Sequence, residues 1–466
     1  MQKKTVIATF FISLPIILFA LTMILPTYDD WTYITSPYFG NIFTSGRMLP
    51  WNGYWRPFDA LIGGILGLNH HLFPTLNHCI ILLGHVISTI LVYRLANKNI
   101  LPAAFFFLSP GMICTVLDID SANQVYATCW GLASLILYLQ HHRWLWIACV
   151  IIATLCKENG IMYAFIPPFI GYMQQSSEKR VMPYIKDLCP MVATIAVYGL
   201  LRILLASAGN GINDNYVTAT LSDHVKDTLQ YIIFAWIPMD YEAILYPPTR
   251  NIPLAVFTLI ISTPFLFLVG KGLWERRRER MTYALIAAFF IAGAPHLLTI
   301  VSMMHIYAGL PFAALIINQA WKNKETLHKA AALMFLMAAI ITDLHHWHAA
   351  YESGIVGKEM AEQVIEKSRT KPQKVFVINF DNGEKKYSCI NVIPRDAFGW
   401  GHAANYYSDY TMANEINDTN VVAPSDDMAK QKMIEHIAKE AETHFQYDAL
   451  WVVDGKDVSI YYEKQR

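Results

Sequence analysis

The sequence predicts a polytopic α-helical membrane protein with a small C-terminal α/β or α+β domain, and three observations lead to this class. The 466 residues are 54% hydrophobic. Only 15% of them are charged, whereas a soluble globular protein carries about 25%. The apolar residues are gathered in uncharged runs of about 16 to 23, long enough to cross or nearly cross the hydrocarbon core of a bilayer.

These runs predict about eleven transmembrane helices. The first run follows "MQKK" and resembles a signal peptide, but it is longer than a signal core and lacks an Ala-x-Ala-like exit, so we expect a retained helix. Proline residues inside several runs, Pro110 among them, predict kinks. The predicted spans are roughly 5–25, 77–96, 100–117, 124–140, 144–157, 160–174, 183–206, 252–273, 281–300, 302–320 and 327–344.

The charges of the connecting loops predict the orientation. One set of loops contains "MQKK", "YRLANKN", "SSEKRVMPYIK" and "KGLWERRRER", whereas the alternate set contains "DIDSANQ" and "KENG". Lys and Arg concentrate in cytoplasmic loops, so the N-terminus is expected in the cytoplasm. An odd number of spans then leaves the C-terminal domain outside, together with loops at about 26–76 and 207–251.

The residues after the last span predict a separate polar domain, which divides the chain into 1–344 and 345–466. The segments "KVFVINF", "SCINVI", "ALWVVDG" and "VSIYYE" have the pattern of strands, and "DDMAKQKMIEHIAKEAETHF" has the pattern of an amphipathic helix. The formal net charge is +0, which gives no indication of a nucleic-acid partner.

The stretch "LPTYDDWTYI" places Asp29 and Asp30 directly after the first span. In one interpretation Asp29 caps a short helix that begins near Trp31. In the other, a carboxylate at the membrane–water boundary acts as a general base. Its adjacent carboxylate raises its proton affinity and so keeps it basic near neutral pH. The spacing alone leaves both interpretations open.

Two further motifs carry cations on the same predicted side. Arg56 in "NGYWRPFDALIGG" either extends to lipid headgroups or binds a phosphate, whose oxygens a guanidinium matches in pairs. Lys157 and Glu158 in "LCKENGI" lie at the end of an apolar run. Moving either charged side chain into the hydrocarbon costs about 2.5–3.5 kcal/mol. Asn159-Gly160 predicts a turn there, and Lys157 is a candidate second cation for an anionic headgroup.

Three groups have weaker functional signals. Asp118 and Asp120 in "DIDSANQ" form a polar turn or contact a substrate. His305 and Tyr307 in "MMHIYAGLP" lie near the predicted outer start of a span, where a lone histidine is more often structural. The "HHWH" group at 345–348 has metal-binding residue types, but an interfacial anchor is favoured.

Carboxylates and cations gathered at headgroup depth suit the transfer of a group from a lipid phosphate. A transporter or flippase is the alternative from another class. Such a protein would usually show an internal inverted repeat and charged or broken helices at the bilayer midplane, and neither is found in the sequence. A surface-polysaccharide ligase or polymerase is a further alternative. It would carry its main cations in a large late external loop, whereas the early loop is the richer one here.

Taken in order, "YDDWTYI", "WRPF", "FPTLNHCIILLGHVISTILVYRL", "LSPGMICTVLDIDSANQVYATCWGLASLILYL" and "LCKENGI" resemble a known family. This is the GT-C superfamily of polyprenyl-phosphate-sugar-dependent glycosyltransferases. The likeness is greatest to the membrane part of the tetratricopeptide-repeat transmembrane O-mannosyltransferases and to their bacterial relatives. It covers roughly residues 1–180. The chain departs from that family in lacking the repeats, and in offering His305 where a later span of the family often begins with an Arg-containing motif.

The resemblance implies an inverting glycosyl transfer on the extracytoplasmic side. Asp29 would deprotonate an acceptor hydroxyl, which attacks C1 of the sugar. Arg56 and Lys157 would stabilise the charge that grows on the leaving polyprenyl phosphate. Asp30 and Glu158 would orient these groups or the acceptor.

The same resemblance implies a polyprenyl-phosphate sugar as donor and no metal or other cofactor. Asp118, Asp120, His305 and Tyr307 become candidates for binding or supporting the substrates. The acceptor is not carried over, and glycan, lipid and protein stay open. The expected location is the lipid bilayer of a bacterial inner membrane.

Overall fold

The structure is a computed structural model that describes residues 14–31, 48, 55–72, 76–174, 182–205, 220–238, 251–298, 301, 303–321, 326–381 and 392–465. The chain divides into two compact units. The membrane unit comprises Tyr38–His346, and the second unit comprises Met1–Pro37 together with Trp347–Arg466.

The described part of the membrane unit is helical, and two 3-10 segments, Ile119–Ser121 and Glu158–Ala164, join its helices. The α-helices are α1 Pro57–Leu72, α2 Asn77–Leu95, α3 Ile100–Phe107, α4 Pro110–Leu117, α5 Ala122–Leu139, α6 Arg143–Cys156, α7 Ile166–Gln174, α8 Met182–Leu205, α9 Leu221–Trp236, α10 Ile252–Glu275, α11 Arg280–Leu297, α12 Met303–Ile306, α13 Leu310–Ala320 and α14 Thr326–Lys367. The last of these continues into the second unit from Trp347 onward.

Several helices are apolar and long enough to cross a membrane. Within the described ranges there are four, or five if α3 and α4 count as one bent span, so the eleven predicted spans are not confirmed. The four are α2, residues Tyr184–Leu201 of α8, α10 and α14. The bend between α3 and α4 is 52° and falls directly before Pro110, which cannot continue the backbone hydrogen bonds of a helix. The kink predicted there is confirmed.

Other predicted runs are shorter helices. The run predicted over 160–174 is a 3-10 segment followed by α7. Pro167 and Pro168 lie in the first turn of α7, where a missing N–H costs no helical bond. The outer loop predicted over about 207–251 contains the helix α9, which ends at Trp236.

The second unit contains a four-stranded sheet. Its strands are β1 Lys374–Asp381, β2 Glu415–Val422, β3 Ala449–Asp454 and β4 Asp457–Glu463. They lie in the order β2-β1-β3-β4; β1 pairs in parallel with β2 and β3, and β4 is antiparallel to β3. This unit also contains a helix over 14–22, α15 Pro394–Ala397, α16 His402–Tyr407 and α17 Asp427–His444.

The sheet has an apolar core on each face. On one face α17 packs through Ile434 and Ala441. On the other face lie the end of α14, α16 and Trp31. A mostly parallel sheet with helices on both faces is an α/β arrangement, so the first of the two predicted classes describes this domain.

Three of the predicted tail strands and the predicted helix are tested by described residues. The predictions behind β1, β3, β4 and α17 are confirmed. The strand predicted over 388–393 lies mostly outside the described residues, and Val392 and Ile393 are not in a strand. Sequence analysis missed β2, whose sequence EINDTNVV lacks an apolar run.

Candidate functional site

The acidic pair of the second unit lies in a 3-10 turn, Tyr28–Asp30. The Thr27 N–H donates to Oδ2 of Asp30 at 3.2 Å, and the Asp30 N–H donates to the Thr27 carbonyl oxygen at 3.0 Å. Asp30 is 2% exposed, whereas Asp29 is half-buried. The cap interpretation therefore applies to Asp30, which occupies the acidic position of a capping box, and Asp29 is the more accessible carboxylate.

Aromatic contacts fix this turn against the rest of the second unit. Trp31 is 1% exposed, and its ring packs against Tyr406 and Tyr407 at centroid distances of 5.8 and 6.2 Å. A Cβ added to Gly399 would lie 2.2 Å from Cδ1 of Trp31, so a larger residue does not fit there. The backbone before Trp31 is thereby held in one position, and Asp29 with it.

Among the described residues of the membrane unit, Arg56 and Glu158 form a close ion pair. Nε of Arg56 lies 2.9 Å from both carboxylate oxygens, and Nη2 lies 2.6 Å from Oε2. The side chains are 18% and 29% exposed, so the pair is partly open to solvent. Two residues predicted separately are thus brought together, although their positions are 102 apart in the chain.

The backbone before α1 holds Arg56 in place. The Ala60 N–H donates to the Arg56 carbonyl oxygen at 2.9 Å, and Pro57 begins the helix, where its lack of an N–H costs nothing. The ring of the preceding Trp55 stacks on the ring of Tyr198 in α8 at a centroid distance of 5.6 Å, and the Tyr198 hydroxyl donates to the carbonyl oxygen of Trp55 at 3.3 Å. The predicted Trp-Arg-Pro turn is therefore anchored on both sides of the arginine.

Lys157 lies between α6 and the 3-10 segment and is half-buried. Burial lowers the pKa of Lys157 and the Arg56 guanidinium lowers it further, while the carboxylates of Asp120, Glu158 and Asp59 oppose the change. Lys157 therefore lies near enough to Arg56, Asp120, Glu158 and Asp59 to interact with them electrostatically, and these five side chains are named here the charge cluster. It holds two cations of the kind that an anionic headgroup requires.

Asp59 is a member of the charge cluster that sequence analysis missed. It is fully buried in the first turn of α1. A carboxylate is favoured there because the N-terminus of a helix carries partial positive charge. The signal in the sequence was the position of Asp59 two residues after Pro57, which marks the helix start.

The turn after Lys157 is tight, as Asn159-Gly160 predicted. The Gly160 N–H donates to the Lys157 carbonyl oxygen at 2.9 Å. A Cβ on Gly160 would lie 2.3 Å from the backbone carbon and oxygen of Ala153 in α6. Further along, the ring of Tyr163 occupies the space that a Cβ on Gly131 of α5 would take, at 2.2 Å. These close contacts determine where Lys157 and Glu158 lie.

The polar turn "DIDSANQ" divides between two roles. Asp118 is 7% exposed and caps the 3-10 segment Ile119–Ser121, because its Oδ1 accepts the Asp120 N–H at 3.1 Å. Asp120 is half-buried and belongs to the charge cluster. Asp118 thus acts on the backbone, and Asp120 acts on Lys157.

His305 and Tyr307 have different surroundings. His305 stacks on His296 of α11 at 4.1 Å with an interplanar angle of 11°. His296 interacts electrostatically with Lys157 and Arg56, which places it beside the charge cluster. Sequence analysis missed His296, because it follows Pro295 near the end of an apolar run and has no polar neighbour there.

Tyr307 is fully buried and is paired with another residue. Its hydroxyl lies 2.8 Å from Nδ1 of His85 in α2, and both rings pack against Phe106. The structure thus joins Tyr307 to His85. Among the described residues, no group of three or more His, Cys, Asp or Glu side chains is arranged to hold a metal ion.

No protein-family model and no curated protein matches the chain. Among solved structures, the crystal structure of ArnT from Cupriavidus metallidurans bound to undecaprenyl phosphate is similar, with a TM-score of 0.51 and 10% sequence identity. The similarity covers 99% of this chain and 98% of that ArnT chain. The apo state of the same ArnT gives a TM-score of 0.47 and 11% identity, over 97% and 93% of the two chains.

The first of these similarities shows the fold. Along nearly its whole length the chain is similar in fold to this ArnT. With helices apolar enough to cross a bilayer, it is an integral membrane protein of this fold.

Proposed function

We propose that the protein is a membrane glycosyltransferase. It transfers a sugar from a polyprenyl-phosphate-linked donor to an acceptor hydroxyl on the outer side of a bacterial inner membrane, with inversion at C1. The observation that carries this proposal is the charge cluster, which holds Arg56 and Lys157 together on a GT-C fold. The similar ArnT binds undecaprenyl phosphate, which supports a lipid donor of this class.

Arg56 and Lys157 bind the donor phosphate in this proposal. A guanidinium has five N–H donors in a fixed plane, and Glu158 engages the Nε and Nη2 edge. Glu158 therefore orients the plane of Arg56. Lys157 adds a point charge, and burial makes its interaction with an anion stronger than in water.

Asp29 is the general base. It takes the proton of the acceptor hydroxyl while the hydroxyl oxygen attacks C1 of the sugar from the face opposite the phosphate. The bond between C1 and the phosphate oxygen breaks, and its electron pair stays on the polyprenyl phosphate. Arg56 and Lys157 bind this leaving group more tightly as its charge grows, which lowers the barrier.

The other candidates support these groups. Asp30 fixes the turn that carries Asp29, as its bond to the Thr27 N–H indicates. Asp120 adjusts the charge around Lys157, His305 positions His296 by stacking on it, and Asp118 shapes the turn that presents Asp120. Tyr307 acts through the packing of His85.

The proposal is tested by incubating the purified full-length protein with a panel of polyprenyl-phosphate sugars and measuring released polyprenyl phosphate and transferred sugar by mass spectrometry. We expect one donor class to be consumed, Asp29→Asn to abolish transfer, and Arg56→Ala to raise the half-saturating donor concentration. Arg143→Ala is the control, because Arg143 is an exposed residue at the start of α6. Full transfer by both Asp29→Asn and Arg56→Ala would refute the assignment.

A further inference from the structure

An unusual turn in the second unit follows α15. Gly399, Trp400 and Gly401 have φ values of 59°, 52° and 116° in succession. Glycine adopts such values readily, but a bulky residue in the left-handed region is an outlier. Strained residues of this kind persist only where their surroundings fix them, and they cluster at binding sites.

The surroundings do fix this turn. Gly399 lies against Trp31, with no room for a Cβ, and a Cβ on Gly401 would lie 3.2 Å from Cγ2 of Val377 in β1. The preceding Phe398 is fully buried and packs against Trp451 of β3 at 6.3 Å. The turn is thus clamped on both sides of Trp400.

Trp400 meets a second strained aromatic residue. Its ring lies 5.6 Å from the ring of Tyr28 at an angle of 52°, and Tyr28 also has a positive φ, of 48°. Tyr28 directly precedes Asp29 in the chain. Two independent backbone outliers therefore bring two aromatic rings together beside the proposed base.

The exposure of these rings differs from that of the core aromatics around them. Trp31 and Trp451 are 1% and 0% exposed, whereas Trp400 and Tyr28 are both half-buried. A pair that served only to fill the core would be buried like its neighbours. Partly exposed residues in such strained conformations are candidates for contact with a ligand.

We propose that Trp400 and Tyr28 form an aromatic platform that binds the pyranose ring of a carbohydrate acceptor and presents its hydroxyl to Asp29. The C–H bonds on one face of a pyranose carry partial positive charge and pack against the negative face of an aromatic ring. This inference rests on the proposed function and names the acceptor class as a sugar.

The decisive variant is Trp400→Gly. Glycine favours the φ that this position adopts, so removing the ring also removes backbone strain, and the variant is expected to fold with an unchanged or higher melting temperature. Trp400→Phe keeps an aromatic face. Tyr462→Ala is the matched control, because Tyr462 is 45% exposed on β4 of the same unit.

Two measurements are made on the full-length protein with methyl pyranosides as probes. In the transfer assay, Trp400→Gly should raise the half-saturating concentration of methyl pyranoside roughly tenfold and leave that of the lipid donor unchanged, with Trp400→Phe in between. In saturation-transfer NMR without any donor, the wild type should label the pyranoside, Trp400→Gly should lose the effect, and Tyr462→Ala should keep it.

The outcomes separate this inference from the proposed function. Trp400-dependent labelling without transfer from any donor would leave the sugar site standing and refute the glycosyltransferase. Transfer with a pyranoside requirement that is the same in Trp400→Gly and wild type would refute the platform. If Trp400→Gly raised only the half-saturating concentration of the lipid donor, the rings would be assigned to the donor sugar and the acceptor assignment would be overturned. Saturation by acceptor peptides but not by pyranosides would assign a protein acceptor and would also overturn it.

Discussion

Replacing Gly160 with alanine tests whether the turn after Lys157 positions the charge cluster. The added Cβ would lie 2.3 Å from the carbon and oxygen of Ala153 and 2.7 Å from the nitrogen of Thr154. All three are backbone atoms of α6, which cannot rotate away. Ordinary contact begins at 3.4 Å, so the turn must move by about 1.1 Å, and a shift of this size can cost a factor of about 100 in rate.

The assay is transfer from the lipid-linked donor together with thermal unfolding of the detergent-solubilised protein. We expect a roughly 100-fold loss of transfer and a loss of about 1–3 kcal/mol in the free energy of unfolding. Gly270→Ala in α10 is the control, because a Cβ at Gly270 meets nothing within 4 Å. Its expected stabilisation is about 0.5–1 kcal/mol, with normal transfer. Transfer by Gly160→Ala within twofold of wild type would refute the claim that this turn sets the position of Lys157.

The remaining predictions concern single side chains. Asp30→Ala should destabilise the protein by about 0.5–2 kcal/mol, because it removes the oxygen that accepts the Thr27 N–H, and it should retain more transfer than Asp29→Asn; equal losses of transfer would remove the division of roles. Arg56→Lys should bind polyprenyl phosphate more weakly than wild type in a titration, because an ammonium lacks the planar arrangement of N–H donors of a guanidinium. An affinity equal to that of wild type would contradict this. Burial alone would raise the pKa of Glu463. Its carboxylate, however, accepts hydrogen bonds from the hydroxyls of Ser368 and Thr370 and from the N–H groups of Arg369 and Thr370, and together these lower the pKa. A carboxylate with a lowered folded-state pKa stabilises above its unfolded pKa and loses that stabilisation as the pH falls. As the pH is lowered through the unfolded and folded pKa values of Glu463, the free energy of unfolding should therefore fall more in the wild type than in Glu463→Gln. Identical pH profiles of stability for the two proteins would refute this.

The sequence predicted those parts of the fold that leave a periodic or local signal. Pro110 marks a bend because proline breaks helical bonding wherever it falls, and α17 has an apolar stripe of its own. The strand β2 has no such signal, because it lies at the edge of the sheet and most of its side chains are exposed. The pairing of β2 with β1 depends on backbone hydrogen bonds. These bonds leave no pattern in the side-chain sequence.

The candidate residues divide in the same way. Arg56 and Lys157 were found because a charge beside an apolar run is conspicuous, but the sequence could not show that Glu158 contacts Arg56. The position of Asp59 at a helix start was visible beside Pro57, but its place in the charge cluster and the pairing of His305 with another histidine depend on tertiary proximity. The capping role of Asp30 was visible in principle, since Thr27 three residues earlier completes a capping box; from spacing alone, a cap at Asp29 was one of two interpretations that stayed open.

The burial of Trp31 in the core of the sheet has a consequence for biosynthesis. Its partner in that core, Trp451, leaves the ribosome about 420 residues later, and at about 5–20 residues per second this delay is roughly 20–80 s. During that time the nascent N-terminal segment has an unburied indole that is covered only after the strands of this sheet have been made. Premature termination before β3 therefore leaves a tryptophan available to chaperones and quality-control proteases.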